Sequence, residues 1–369
     1  MIYLDNGATS FHKPSQVRRA VLDAMNRCAN PGRGGHRAAM EAARTVYCCR
    51  ERASELFECD PEQAVFTHNC THGLNIAIRT LVKPGSRVVI SGFEHNAVTR
   101  PLHALGAKVT VAGRKLFNQA DTLETFARAL KSGADAAVFT HISNVFGYIL
   151  PVEEMAEMCH SYGVPFVLDA AQSAGTIPVS LRKLGADFIA MPGHKGLLGP
   201  QGTGLLLCGT VPEPILQGGT GSESLRQDMP DDLPERAEAG TLNVPGIAGL
   251  RAGLEYLCRS GVEAIGRKEQ KMAQLCANGL EKIGMQVFRG PDQAGTVSFR
   301  AGCDCEEAAK ILADSGIAVR AGLHCAPLAH ESAGTRNTGT VRVSFGHDAT
   351  LGQVSAFLKA AAKLLPAET

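Results

Sequence analysis

Short apolar runs rich in β-branched residues alternate with longer amphipathic segments between about residue 60 and residue 210. This alternation is typical of parallel βαβ units. It predicts strands at residues 64–67, 87–91, 108–112, 136–141, 165–169, 187–191 and 204–208. Residues 96–105 and 152–162 carry apolar positions at helical spacing, and Gly106 and Gly163 stand where such helices end. A large α/β unit is therefore expected.

The pattern changes after about residue 245. Helical stretches over residues 246–259 and 262–283 come first, and short strands near 285–288, 296–300 and 340–345 and an amphipathic helix over 351–364 follow. This order is typical of a smaller α+β unit. We predict a large domain over residues 16–245, and a small domain made from residues 1–15 and 246–369.

Composition and charge indicate what kind of molecule the protein binds. The formal net charge is only +1, which gives no general electrostatic reason to expect nucleic acid or an anionic membrane. The amino terminus lacks a basic stretch followed by an apolar one, and no run of about 18 apolar residues occurs. We expect a cytoplasmic protein that acts on a small molecule.

The twelve cysteines do not form a metal-ligand pattern. No C-x-x-C pair occurs, and the close spacings are Cys48-Cys49 and Cys303-x-Cys305. In a long chain without a secretion signal, such residues are mostly reduced and buried. We therefore expect no metal site and look for chemistry elsewhere.

Two strands of the predicted sheet end in residues that suit a pyridine aldehyde cofactor. The strand at 165–169 ends in Asp169, and the strand at 187–191 leads into His194 and Lys195. Ligands of open parallel sheets lie beyond the carboxyl ends of the strands. An aspartate can keep a pyridine nitrogen protonated, and a lysine amine can form a Schiff base with an aldehyde. Each residue alone has an ordinary structural explanation, but together they indicate pyridoxal 5'-phosphate.

An anion site is predicted between the first strand and the following helix. Residues 67–73 read Thr-His-Asn-Cys-Thr-His-Gly and precede the helical run 74–81, so backbone N–H groups at a helix start could hold a phosphate. The glycine-rich stretch 199–204 precedes a strand and lacks the dinucleotide-binding spacing. Nicotinamide cofactors are therefore not expected.

Three longer stretches carry a family resemblance. They are residues 3–9 (Tyr-Leu-Asp-Asn-Gly-Ala-Thr), 30–36 (Asn-Pro-Gly-Arg-Gly-Gly-His) and 341–345 (Val-Arg-Val-Ser-Phe). With them the chain resembles the class V aminotransferases, and in particular cysteine desulfurases and selenocysteine lyases with a short cysteine-bearing loop. The resemblance implies a pyridoxal-phosphate fold of the aspartate aminotransferase type, with a large, mixed, mostly parallel sheet domain and a smaller α+β domain, in a homodimer.

The resemblance also assigns roles around the cofactor. It makes Lys195 the Schiff-base lysine and Asp169 the partner of the pyridinium nitrogen. Gln172 would donate to the phenolic oxygen, and His95 would stack on the ring. Residues assigned to the phosphate are Thr71, His72, His194 and, reaching the neighbouring subunit's phosphate, Thr241.

The implied reaction converts L-cysteine to L-alanine. Asn144 and Arg342 would orient the substrate, Arg342 through a bidentate pair with the α-carboxylate. Cys325 would take the sulfur as a persulfide and pass it to a protein acceptor, and His95 would manage the substrate thiol's proton. Lys195, Cys325 and His95 are thus the predicted catalytic residues.

Departures from the family pattern leave the substrate and the reaction open. Pro192 replaces a small or hydroxyl residue, Leu323 and Asn96 each replace a histidine, and the segment 218–238 is short. L-selenocysteine is a second possible substrate, since a selenocysteine lyase shares every cofactor residue. Transamination and carbon–sulfur lysis of cystine are further candidate reactions, against which Cys325 argues. A catalytically silent binding partner is the last candidate, and the presence of Lys195 argues against it.

Overall fold

The computed structural model describes residues 1–32 and 34–364. Their strands are β1 Ile2–Tyr3, β2 Ala64–Thr67, β3 Arg87–Ser91, β4 Lys108–Ala112, β5 Ala136–Thr140, β6 Phe166–Asp169, β7 Phe188–Pro192, β8 Gly204–Cys208, β9 Gln286–Phe288, β10 Thr296–Arg300, β11 Ile317–Ala318, β12 Arg320–Gly322 and β13 Thr340–Ser344. Their α-helices are α1 Ser15–Arg27, α2 Arg37–Phe57, α3 Cys70–Leu81, α4 Asn96–Ala104, α5 Gln119–Lys131, α6 Val152–Tyr162, α7 Leu181–Leu184, α8 Val244–Ser260, α9 Val262–Lys282, α10 Cys305–Asp314, α11 Pro327–Ser332 and α12 Leu351–Ala361. Each strand and helix predicted from the sequence is present, with its ends within about four residues.

A seven-stranded sheet forms the centre of the larger unit, in the order β2-β8-β7-β6-β5-β3-β4. The strands from β7 to β4 run parallel, whereas β8 is antiparallel to both β7 and β2. Strands β5 to β8 are buried along their whole length because helices cover both faces. The predicted large, mixed, mostly parallel sheet is therefore confirmed.

The smaller unit is built on an antiparallel sheet in the order β12-β13-β10-β9, against which α9 and α10 pack. The start of the chain returns to this unit, because β1 pairs in parallel with β11 and Asp5 bridges to Ser344. Leu4 lies in its core, beside Val343 and Phe345. Residues 1–5 thus belong structurally with the carboxyl-terminal part.

Helix α8 packs against α1 and α2. Its buried Ile247, Leu250 and Leu254 join the core of the large sheet. Apart from Leu4, the buried core residues of the smaller unit lie at Met272 of α9 and beyond. The division at residue 245 stays a prediction, and this packing favours a later one, within α9.

None of the helices in the described part of the chain is both long and apolar enough to cross a membrane.

Candidate active site

Asp169 and Lys195 lie at the carboxyl ends of neighbouring strands. Asp169 is the last residue of β6 and is buried; its Oδ1 accepts hydrogen bonds from the Ala171 N–H (2.9 Å) and the Cys70 thiol (3.5 Å). Within residues 1–32 and 34–364 no group donates to Asp169 Oδ2, and none forms a hydrogen bond or ion pair with Lys195 Nζ. Burial lowers the pKa of Lys195, against the smaller opposing effect of Asp169. The amine is thus free and nearer to the neutral form that attacks an aldehyde.

One cavity brings most of the predicted site residues together. Its lining includes Thr71, His95, Asn144, Asp169, Gln172, His194 and Lys195. Gln172 donates from Nε2 to the Gly7 carbonyl (3.0 Å), which ties the cavity wall to the amino-terminal segment. Pro192, the residue that departs from the family pattern, also lines this cavity.

His95 caps the start of α4. Its Nδ1 accepts the Ala97 N–H at 3.0 Å, so the neutral ring carries its proton at Nε2. Burial lowers the His95 pKa, with an opposing contribution from Asp169. The ring is therefore held neutral, in one orientation, at the edge of the cavity.

Helix α3 presents its first turn to the same cavity. The Asn69 side chain accepts the His72 N–H (2.9 Å), whereas in the described part of the chain the N–H groups of Cys70 and Thr71 have no acceptor. Free N–H groups at the start of a helix bind anions. His72 itself lies apart: its Nδ1 accepts the His68 N–H (3.3 Å), and its ring stacks on that of His68.

The turn that carries Lys195 is held by the amino-terminal segment. The His194 carbonyl accepts from Thr9 Oγ1 (3.1 Å), the Ser10 N–H (3.0 Å) and Lys13 Nζ (2.9 Å). Burial lowers the His194 pKa to about 4. Thr9, the last residue of the stretch 3–9, and its neighbours Ser10 and Lys13 thus fix the position of the turn that carries Lys195.

The loop after β12 places Cys325 at the surface, beside the cavity. His324 and Cys325 have φ of +49° and +56°, in the left-handed region that most residues avoid. The Asn96 N–H donates to the Cys325 carbonyl (2.7 Å), and Asn144 Nδ2 donates to the His324 carbonyl (2.8 Å). The larger unit thus holds the loop through its backbone, while the Cys325 side chain remains exposed.

Arg342 is engaged with the protein itself. This buried guanidinium donates from Nη2 to Asp5 Oδ1 (2.6 Å) and from Nη1 to the Asn144 carbonyl (2.9 Å). Arg320 lies opposite Arg342 across β12 and β13 and contacts Asp5 Oδ2 at 2.9 Å. Arg342 is not among the residues that line the cavity, so its contact with a substrate carboxylate stays a prediction.

Thr241 is exposed and lines a different cavity, shared with Tyr47, Arg50 and Thr220. It lies outside the Lys195 cavity of its own chain. The neighbouring segment 218–238 contains one short 3₁₀ helix, Glu235–Ala237, and a fully exposed Leu225. A role for Thr241 toward a second subunit stays a prediction.

Two residues at the site were missed by the sequence analysis. Asp5 stands in the quoted stretch 3–9 but was given no role, and its position between Arg320 and Arg342 depends on contacts over 300 residues apart in sequence. Cys70 was counted among the ordinary buried thiols. Its place at the first residue of a helix that follows a strand was the available signal.

Known proteins resemble this chain over nearly its full length. The profile of the family Aminotransferase class-V matches residues 2–357. A probable cysteine desulfurase of Methanothermobacter thermautotrophicus is 34% identical over 359 residues, covering 93% of this chain and 89% of the relative. A cysteine desulfurase of Escherichia coli strain SE11 is 33% identical over 347 residues, covering 88% and 84%.

Solved structures agree with this relationship. The apo cysteine desulfurase of Thermococcus onnurineus superposes with a TM-score of 0.90 at 34% identity, covering 98% of this chain and 94% of that one. A cysteine desulfurase of Escherichia coli in an S-sulfonic acid form gives a TM-score of 0.87 at 28% identity, with the same coverage. These likenesses confirm the predicted aspartate-aminotransferase-type fold. With the profile match, they show that the chain belongs to the class V aminotransferase family.

Proposed function

We propose that the protein is a pyridoxal-phosphate-dependent cysteine desulfurase, which converts L-cysteine to L-alanine and holds the sulfur as a persulfide on Cys325. One observation carries the proposal: an exposed thiol sits on a loop that is hydrogen-bonded to the rim of the cavity containing Lys195 and Asp169. The relatives named cysteine desulfurase support the same activity.

The residues of the cavity fit pyridoxal phosphate. Among the described residues, Lys195 offers an amine without a partner, Asp169 offers an Oδ2 atom that accepts no hydrogen bond, and the start of α3 offers free N–H groups. These match an aldehyde, a pyridinium nitrogen and a phosphate. When bound, this cofactor supplies an electron sink that makes the substrate α-proton acidic.

Three side chains then carry out the proton transfers and the sulfur transfer. Lys195 Nζ, nearer to neutral because it is buried, takes the α-proton of the substrate. His95, with its proton at Nε2, donates to a sulfur or carbon that gains charge. The Cys325 thiolate attacks the substrate sulfur; the new S–S bond forms as the C–S bond breaks, and the β-carbon is protonated to give alanine.

L-cysteine is favoured over L-selenocysteine as the substrate. The relatives described above are named cysteine desulfurases. Cys325 is exposed, so its thiol can receive a sulfur atom and present it to an acceptor. A selenocysteine lyase would not depend on such a thiol.

We further propose a homodimer in which Thr241 reaches the partner's phosphate site. Helices α1 and α2 expose large apolar side chains, among them Leu22, Met25, Met40 and Tyr47, as expected for a subunit interface. The exposed Cys325 loop would then remain open to a protein acceptor of sulfur.

The test compares alanine and sulfide release from L-cysteine and L-selenocysteine, with a reductant present, by the unaltered protein and by Cys325→Ala. We expect cysteine turnover to collapse in the variant while selenocysteine turnover and the visible absorbance of the cofactor remain. If cysteine is inert with the unaltered protein, the desulfurase proposal is wrong.

A further inference from the structure

The thiol of Cys70 makes a contact that the proposed chemistry does not use. Cys70 is the first residue of α3, and its Sγ lies 3.5 Å from Asp169 Oδ1. Both residues are buried, with exposed fractions of 8% and 2%. The same oxygen accepts the Ala171 N–H at 2.9 Å, so Oδ1 has two donors and Oδ2 has none in the described structure.

Cys70 is the donor in this contact. Burial and the charge of Asp169 raise the pKa of the Cys70 thiol well above its usual range, so the proton stays on sulfur. An ionised carboxylate only accepts hydrogen bonds. The S–H group therefore points at Oδ1.

The packing of α3 fixes this geometry. Leu74 and Ile78 of α3 lie in one core cluster with Val167 of β6, the strand that ends in Asp169. The helix start and the strand end thus form one rigid assembly, and the sulfur is held against Oδ1 rather than brought there by a mobile loop.

We propose that Cys70 is a positioning residue, which together with the Ala171 amide fixes Asp169 Oδ1 so that Oδ2 faces the ring nitrogen of the cofactor. This inference rests on the proposed function, because it assumes that pyridoxal phosphate occupies the cavity. A carboxylate anchored through one oxygen keeps its rotamer, and the ring binds without first having to reorient it. Cys70 takes no part in carrying sulfur, because it is buried where no acceptor protein reaches it.

The first test measures the affinity of the apo protein for pyridoxal phosphate, from the absorbance and fluorescence of the bound cofactor, without turnover. The variants are Cys70→Ser, which keeps a donor, Cys70→Val, which keeps bulk without a donor, and Cys70→Ala. We expect Val and Ala to weaken binding about fivefold, the effect of losing one modest hydrogen bond, and Ser to bind like the unaltered protein.

Thermal unfolding of each apo variant confirms that it folds. If all four proteins bind the cofactor equally, the positioning role is contradicted. If Ser loses as much affinity as Ala, Cys70 acts through packing, and the proposal fails as well. If the unaltered protein takes up no cofactor, the proposed function itself is contradicted, a result that differs from equal binding by all four.

A second test needs no cofactor. The infrared S–H stretching band of Cys70 is obtained as the difference between the unaltered apo protein and Cys70→Ser. The band of Cys276, which is buried and has no hydrogen-bond partner in the described structure, is obtained in the same way from Cys276→Ser. We expect the Cys70 band at lower frequency than the Cys276 band; equal frequencies would overturn the donor role.

Discussion

The side-chain amide of Asn144 donates a hydrogen bond of 2.8 Å to the carbonyl of His324 and so links the cavity rim to the Cys325 loop. The loop needs this support, because two successive non-glycine residues with positive φ cost about 1–3 kcal/mol each. The backbone carbonyl of Asn144 also accepts from Arg342. Asn144 therefore contacts both the Cys325 loop and Arg342, the arginine predicted to bind the substrate.

We predict that Asn144→Ala lowers cysteine turnover about tenfold when the cofactor site is saturated. The loop loses one of its two anchors from the larger unit, and Cys325 then spends less time in the reactive geometry. The measurement is kcat with L-cysteine beside a cofactor titration. Asn96→Ala is the matched control, since the Asn96 bond to the loop comes from the backbone N–H and survives. Equal losses in both variants would refute a specific role for the Asn144 amide.

Asp5→Asn is predicted to destabilise the protein by about 3–5 kcal/mol. Asp5 lies between Arg320 and the buried Arg342, which face each other across two strands, and removing its charge leaves two like charges without compensation. Urea unfolding measures the change. The control is Glu124→Gln, which removes an exposed ion pair with Arg128 and is expected to cost less than about 0.5 kcal/mol. A comparable small cost for both substitutions would contradict the prediction.

Glu269→Gln is predicted to remove part of the pH dependence of stability. Burial, with a smaller contribution from Asp348 and against the effect of Lys268, raises the Glu269 pKa from 4.5 to about 8. Between these values the folded protein binds more protons than the unfolded chain, so its free energy of unfolding falls as pH rises through this window.

Glutamine does not titrate, so the free energy of unfolding of the variant does not fall for this reason as pH rises. We expect equal stability near pH 4 and a variant more stable by about 2–4 kcal/mol near pH 8, from unfolding curves at several pH values. Glu263→Gln, at an exposed position of the same helix, is the control. If the free energy of unfolding of Glu269→Gln and of the unaltered protein depends on pH in the same way, burial does not raise the Glu269 pKa and the prediction is contradicted.

Gly196→Ala is predicted to abolish the visible absorbance of the bound cofactor and to lower Tm. A Cβ at this position would lie 2.2 Å from the Ala174 carbonyl, so the backbone next to Lys195 must move. Gly302→Ala, where a Cβ meets no atom within 4 Å, should behave like the unaltered protein. If Gly196→Ala shows normal cofactor absorbance, the close approach of the Gly196 and Ala174 backbones does not determine the position of Lys195.

Local pattern was enough to predict the strands of the sheet. The observed ends of β2, β3, β4, β8 and β10 coincide with the predicted ones. Strands β2, β3 and β8 are mainly apolar runs, whereas β4 and β10 alternate polar and apolar residues, and both patterns are typical of strands. Topology then explains why Asp169 and Lys195 share a rim, since neighbouring parallel strands end at the same edge.

Side-chain contacts were not predictable in the same way. Placing Arg342 on a strand says nothing of whether its guanidinium turns to the cavity or to Asp5, which depends on rotamer and on a partner 337 residues away. The Cys70 bond to Asp169 likewise joins residues 99 apart through helix packing. The division between the units stays a prediction, since the sequence pattern does not show that α8 packs with the preceding core.

The pairing of β1 with β11 and the bridge from Asp5 to Ser344 have a consequence for biosynthesis. The seven strands of the large sheet lie within residues 64–208, so they can associate while the rest of the chain is still being made. Residues 1–5 are synthesised before the large sheet, yet their pairing partners lie within residues 317–344 and are made only near the end of the described part of the chain. We therefore expect the turn that carries Lys195, which residues 9–13 hold, to reach its final geometry late in folding.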